Sequence, residues 1–114
     1  MKQQTLSARG AVDWAASATP SQVLSGAPRC REAVLRQDGD NEIGLWEVTP
    51  GRFASKKETI GEVMTFLSGA GQIEHADGSV TEIGPGVVLH VLPGWQGIWD
   101  VSDTVVKSYV IYPA

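Results

Sequence analysis

Five side chains carry most of the chemistry this sequence offers: Glu62, His90, Trp99, Lys107 and Tyr109. Glu62 opens an apolar stretch with Met64 and Phe66 at alternate positions, so on a strand all three share a face. A carboxylate on such a face is costly to bury unpaired, and burial raises its pKa. Two roles follow for it. Glu62 is the best candidate for a general base or for a hydrogen-bond acceptor to a ligand, or else it is a strand-end charge, solvated or paired with Lys107. Lys107 and Tyr109 stand two positions apart in an alternating pattern and therefore point the same way. An ammonium and a phenol side by side suit an anionic group. Trp99 and Trp46 are candidate pocket walls, each a flat apolar surface with an N–H donor, and plain core packing is the simpler role for Trp46. His90 lies within the apolar run 87–92, where a histidine is more often a hydrogen-bonded core residue than a ligand. It is still the better of the two histidines for proton transfer, and it joins the ligand-binding candidates.

The elements that must position these residues are short strands. Residues 33–36 and 43–49 flank the turn cluster Asp38-Gly39-Asp40-Asn41, and 72–75 and 79–83 flank Asp77-Gly78. Between and beyond them, residues 52–59, 62–68, 87–92, 97–101 and 104–112 read as further strands divided by glycine and proline. Many short strands at regular spacing predict a sandwich or a closed barrel. The first thirty residues differ, being rich in Ala, Ser, Thr and Gln. Thr19-Pro20-Ser21 has the makings of a capped helical turn stopped by Gly26 and Pro28. Residues 1–30 therefore read as an arm, packed on the barrel or a neighbouring subunit or else trailing as a tail, and 31–114 as the barrel domain.

With 114 residues the chain suits one domain, and its net charge of −4 repels phosphate, so neither nucleic acid nor an anionic membrane is an expected partner. No apolar run reaches the length of a membrane span, and Met1 to Gly10 lacks the apolar stretch of a signal peptide. A single cysteine fits a reduced, cytoplasmic setting. Cys30 is placed outside the barrel with only Arg29 and Arg31 near it in sequence, which gives no reason to expect a nucleophile. His75, just before the Asp77-Gly78 turn, is expected to face solvent, as is the Lys56-Lys57 pair. The glycine clusters lack the following helix that a phosphate-binding loop requires.

Two glycine-framed segments resemble the paired signature segments of the cupin superfamily. Gly51 and Gly69 frame the first, with Glu62 at its glutamate position; Gly86 and Gly94 frame the second, whose proline, Pro93, is displaced by one. Gly44-Leu45-Trp46-Glu47, Leu67-Ser68-Gly69, Gly97-Ile98-Trp99 and Lys107-Ser108-Tyr109 are similar to a small subgroup labelled ureidoglycine-aminohydrolase-like, related to the ethanolamine-utilisation cupin. The resemblance implies an all-β cupin jelly-roll barrel that pairs as a homodimer. It also implies a metal held by histidines, but the His-x-His region holds Ser55, Lys56, Lys57, Glu58 and Thr59, and the second-segment histidine and asparagine fall at Gly97 and Val101. Glu62, with Glu58 as a second oxygen donor, does not make a transition-metal site, so no metal and no cofactor are expected. The expected function is metal-independent binding of a small metabolite in a pocket lined by Glu62, Trp99, Lys107 and Tyr109. The alternative is an aminohydrolase-like or isomerase-like enzyme acting on a small nitrogenous or carboxylate metabolite.

Overall fold

The computed structural model describes residues 4–8 and 10–114, and every regular element among them is a strand: β1 (Ala15–Ser17), β2 (Gln22–Gly26), β3 (Cys30–Asp38), β4 (Asn41–Val48), β5 (Gly51–Lys56), β6 (Ile60–His75), β7 (Val80–Ile83), β8 (Val88–Val91) and β9 (Gln96–Pro113). All pairings are antiparallel, in the order β1-β3-β4-β9-β5-β2, and β6 pairs with β7, β8 and β9. The two turn clusters behave as their residues dictate. Asn41 donates its amide to the Asp38 carbonyl at the tip of the β3–β4 hairpin, and Asp77 accepts from both the backbone N–H and the hydroxyl of Ser79.

The long strands β6 and β9 make the barrel. Each is read from sequence as two strands, yet each runs on unbroken through a bend. The β6–β9 register shifts repeatedly between Phe66 and Gly71, so the ladder kinks without ending. Gly69 sits at this bend with φ +101°, and a Cβ there would fall on the Thr104 carbonyl oxygen. Beyond the bend the same two strands enter a second sheet. The first half of β9 pairs with β5 and the end of β6, and its second half pairs with β4 and the start of β6. The inner faces then oppose each other, in a jelly-roll arrangement. Trp46, Lys107 and Phe66 form one cross-strand row, and Phe53, Trp99 and Ile73 form the other. Trp99 stacks on Phe53 at 5.8 Å between ring centroids and meets Phe66 and Trp46 edge-on at 6.0 and 5.6 Å. Such pairings add to the burial energy of the rings.

The N-terminal segment forms no helical turn at 19–21. Its backbone groups find partners on the sheet instead: β1 pairs with β3 and β2 with β5, which leaves Thr19 and Pro20 as an extended link between them. Residues 1–3 and 9 of the expected arm lie outside the described residues. Cys30 is not outside the barrel either. It begins β3 and is buried in the main core beside Val48, Phe53 and Trp99.

Replacing Gly69 with Ala is expected to cost roughly 1–3 kcal/mol, because the residue must keep a left-handed backbone against the Thr104 carbonyl. Gly84, whose Cβ would meet nothing within 4 Å, is the control, and its Ala variant should stay within about 0.5 kcal/mol of the parent. Urea denaturation of the two variants checks this, and equal effects contradict the account of the bend.

Candidate functional site

Alternation along β9 points Val105, Lys107, Tyr109 and Ile111 inward, and the register sets Glu62 and Glu42 on either side of Ile111 in the next inward rows. Lys107 stretches along this face past the Met64 sulfur, 3.9 Å from its Nζ, to Glu62 Oε2 at 2.5 Å. The other carboxylate oxygen is taken as well, since Lys57 Nζ lies 3.1 Å from Glu62 Oε1. The Glu62 side chain is 2% exposed, that of Lys107 7% and that of Lys57 23%, so the cluster runs from the core toward an opening. Above the pair the Lys107 ammonium sits 4.6 Å from the Trp46 ring centroid and 5.2 Å from that of Trp99. A desolvated ammonium against aromatic faces regains part of its lost hydration this way.

Burial alone would raise the Glu62 carboxyl. The charges of Lys107 and Lys57 and the hydrogen bonds from both outweigh it, and hold the group below the usual carboxylate value. Burial pushes the Lys107 ammonium down, and the adjacent Lys57 charge adds to that, against the opposing pull of Glu62. Tyr109 donates its phenol to Glu42 Oε2 at 2.5 Å, and burial together with this acceptor raises its pKa well beyond the ordinary range, so it stays a neutral donor. The Cys30 thiol is pushed up to about 11 by burial, which leaves it protonated and unreactive at neutral pH.

Lys57, Glu62, Lys107, Tyr109 and Glu42 line a cavity of about 220 Å³, together with Trp46, Phe53 and Trp95. A larger space of about 610 Å³ shares Trp46, Phe53 and Ser55 with it and is bounded on one side by Pro20, Ser21 and Gln22 of the N-terminal segment. Glu62, Trp99, Lys107 and Tyr109 therefore converge on one cavity, as their sequence positions suggest. His90 does not. It is exposed on the outer face of β8, one step out of phase with the inward Val91, and its Nε2 meets the Tyr112 hydroxyl at 2.5 Å. Nor is it a core residue. An unbroken apolar run carries no alternation to say which face is inside.

Sequence reasoning missed three contributors. Lys57 was expected in solvent, but its N–H bonds the Trp95 carbonyl and its C=O accepts from Gly94, which fixes the residue at the cavity. The visible signal is the alternation Phe53, Ser55, Lys57, all three of which line the space. Glu42 is the second. Trp95 is the third, and it explains Gly97: a Cβ at that position would fall on the Trp95 indole. The indole N–H donates to His75 Nδ1 at 2.8 Å, which fixes the proton on Nε2, the nitrogen facing Thr81 Oγ1 at 2.7 Å. His75 is thus half-buried and doubly bonded, not a solvent-facing turn residue.

The EutQ-like cupin domain model matches residues 35–109, most of the chain. The chain belongs to the cupin superfamily. Among solved structures it is similar to a protein of unknown function from Pseudomonas syringae pv. tomato (27% identity, TM-score 0.77, 87% of this chain and 44% of that one). It is also similar to the Clostridium difficile EutQ protein (20% identity, TM-score 0.65, 77% of this chain and 65% of that one) and, in fold, to ectoine synthase from P. lautus (17% identity, TM-score 0.66, 81% and 68%). The chain thus spans less than half of the Pseudomonas protein and about two-thirds of the EutQ protein. The comparison with curated proteins gave no match.

Cupins usually hold a metal with histidines, and this cavity does not fit one. Counting back from Glu62 with the four-residue spacer of the cupin pattern places Ser55 and Lys57 at the two histidine positions, both facing the cavity. The last histidine position, Gly97, is covered by the Trp95 ring. Both oxygens of the remaining carboxylate carry an ammonium. Glu58 turns outward to Lys56, 3.0 Å away at the surface. No group of three or more His, Cys, Asp or Glu side chains occurs among the described residues in a metal-binding arrangement. A divalent cation placed against Glu62 would face two ammoniums, and among the described residues neither a histidine nor a cysteine lines the cavity to hold it.

Glu62→Gln should destabilise the protein by about 3–5 kcal/mol at neutral pH, since it leaves a buried ammonium without its counter-charge. Because the folded pKa of Glu62 is depressed, its stabilisation is complete above 4.5 and is lost as pH falls through the folded value. The gap between parent and variant is therefore expected to narrow on acidification below pH 4.5 in urea melts. A gap that stays constant into strong acid contradicts the ion-pair role.

Proposed function

We propose that this cupin binds a small polar metabolite inside the barrel without a metal, with Lys57, Lys107, Trp99 and Tyr109 as the contacting groups. The observation that carries this reading is the Glu62 carboxylate shared by two ammoniums at the wall of a cavity. One carboxylate neutralises one lysine, so the cluster keeps a positive charge at the cavity wall. Lys57 spends one of its three N–H donors on Glu62 and has the greater access to the opening. A ligand carboxylate or comparable anionic group completes the pairing. Trp46, Trp99 and Phe53 supply apolar walls for its carbon chain.

The same observation weighs against an aminohydrolase-like or isomerase-like role for Glu62. A carboxylate held below its usual pKa by two cations is a poor proton acceptor near neutral pH, where an effective general base has a pKa close to the working value. The kinship with the aminohydrolase-labelled subgroup is a matter of sequence likeness, and cupin folds host unrelated activities.

In this reading the protein works as a cytoplasmic homodimer. Ile43, Val88 and Val110 expose apolar side chains on the outer face of β4, β8 and β9, which favours burial against another surface. Light scattering at micromolar concentration is expected to give the mass of a dimer, and a stable monomer contradicts it.

Mass spectrometry of ligand released on denaturation is expected to find a small polar metabolite bound to the parent protein. Lys57→Gln should retain at least roughly tenfold less, because a hydrogen bond to a charged group is worth about 1.5–3 kcal/mol. Elemental analysis of the native protein should find transition metal far below one equivalent, and a stoichiometric metal overturns the proposal.

A further inference from the structure

The cavity has a second pole that the anion reading leaves unused. Glu42 and Glu32 also line it, from β4 and β3. Neither carboxylate has a cation partner among the described residues. Among these residues Glu42 accepts from the neutral Tyr109 phenol alone, and Glu32 has no side-chain hydrogen bond or ion pair. Among the described residues, two ammoniums thus share one carboxylate on the β6 side, while two carboxylates share no ammonium on the β3–β4 side. Nothing prevents a compact protein from neutralising such charges within itself, and here the outer surface does so, with Arg31 clasping Glu47 at 2.8 Å. Inside, the charges are held apart by the sheet. Glu42 and Glu62 flank Ile111 on strands separated by β9, about 9–10 Å between backbone lines.

We infer that the ligand of this cavity is a small zwitterion, an amino-acid-like metabolite whose anionic group meets Lys57 and Lys107 and whose cationic nitrogen lies between Glu42 and Glu32. This rests on the binding function proposed above and narrows it from a carboxylate or an amine to a molecule bearing both. Such a ligand supplies the missing partner at each pole in one step. A simple carboxylate leaves the two glutamates without a cation, and a simple amine leaves the lysine pair with its excess charge. A cavity of about 220 Å³ has room for a chain of a few carbons between the charges. Phe53 and Trp46 flank the span between the poles and suit methylene groups.

The test is a nuclear magnetic resonance titration of the full chain with 4-aminobutanoate, 2-aminobutanoate, butanoate and butylamine, following the indole N–H signals of Trp46, Trp95 and Trp99. At least one of the two amino acids is expected to bind at least tenfold more tightly than butanoate or butylamine. Glu42→Gln keeps an acceptor for the Tyr109 hydroxyl; combined with Glu32→Gln, it should erase that preference while leaving butanoate affinity unchanged. Lys57→Gln should weaken the amino acids and butanoate alike. If butanoate binds in the cavity as tightly as both amino acids, the zwitterion inference falls and the anion-binding function stands. If none of the four compounds shifts the indole signals at millimolar concentration, both fall.

Discussion

The organising constraint of this molecule is the Glu62 carboxylate, buried in the barrel and bonded on each oxygen by a lysine ammonium. Neither partner is tolerable there alone. An unpaired carboxylate or ammonium costs several kcal/mol to bury, and the apolar isosteres that fill most cores avoid the expense altogether. Retaining the pair obliges the surroundings to conform. Lys107 must come from β9 at the row that faces Trp46 and Phe66, Met64 must let its chain pass, and Lys57 must be held where β5 ends. The hydrogen bonds between Lys57 and the Gly94-Trp95 turn do the last of these, and the same turn lays the Trp95 ring over Gly97. The indole is in turn anchored through His75 to Thr81 on β7.

This arrangement is the cupin frame with its usual contents exchanged. The pattern that elsewhere in the superfamily places histidines around a metal here places a serine, a lysine and a ring-covered glycine. The positive charge that a divalent cation would bring is supplied by two ammoniums, which donate hydrogen bonds and accept none. A metal polarises whatever it binds. Ammoniums beside a carboxylate orient and neutralise an anion, which is the chemistry of recognition more than of bond cleavage.

Much of this was legible in the sequence. The strands beyond residue 30, both turn clusters and four of the five candidate side chains lie where alternation and spacing put them, because period-two patterning with turn residues at both ends dictates the inward face, whereas β1 and β2 formed in a segment read as an arm. What was not legible has physical causes. His90 sits in an apolar run without alternation, and its face was set by pairing with β6. The breaks expected at residues 69–71 and 102–103 became bulges, because glycine permits a bend as readily as an end. Lys57 was hidden in the charged run Lys56-Lys57-Glu58, which resembles a solvated surface until β5 is counted outward from Phe53. Glu42 and Glu32 carry no local signal of burial at all, since their meaning depends on what faces them across the cavity.

The most direct measurement is the titration of the Glu62 side-chain carboxyl by carbon-detected nuclear magnetic resonance, with its assignment secured by Glu62→Gln. The account predicts a single ionisation with a midpoint below 4.5 and no further change through neutrality, as two ammoniums hold the charged form. A midpoint above 4.5 would mean that burial dominates and the lysines do not bind the carboxylate, which would remove the basis for an anion-accepting cavity.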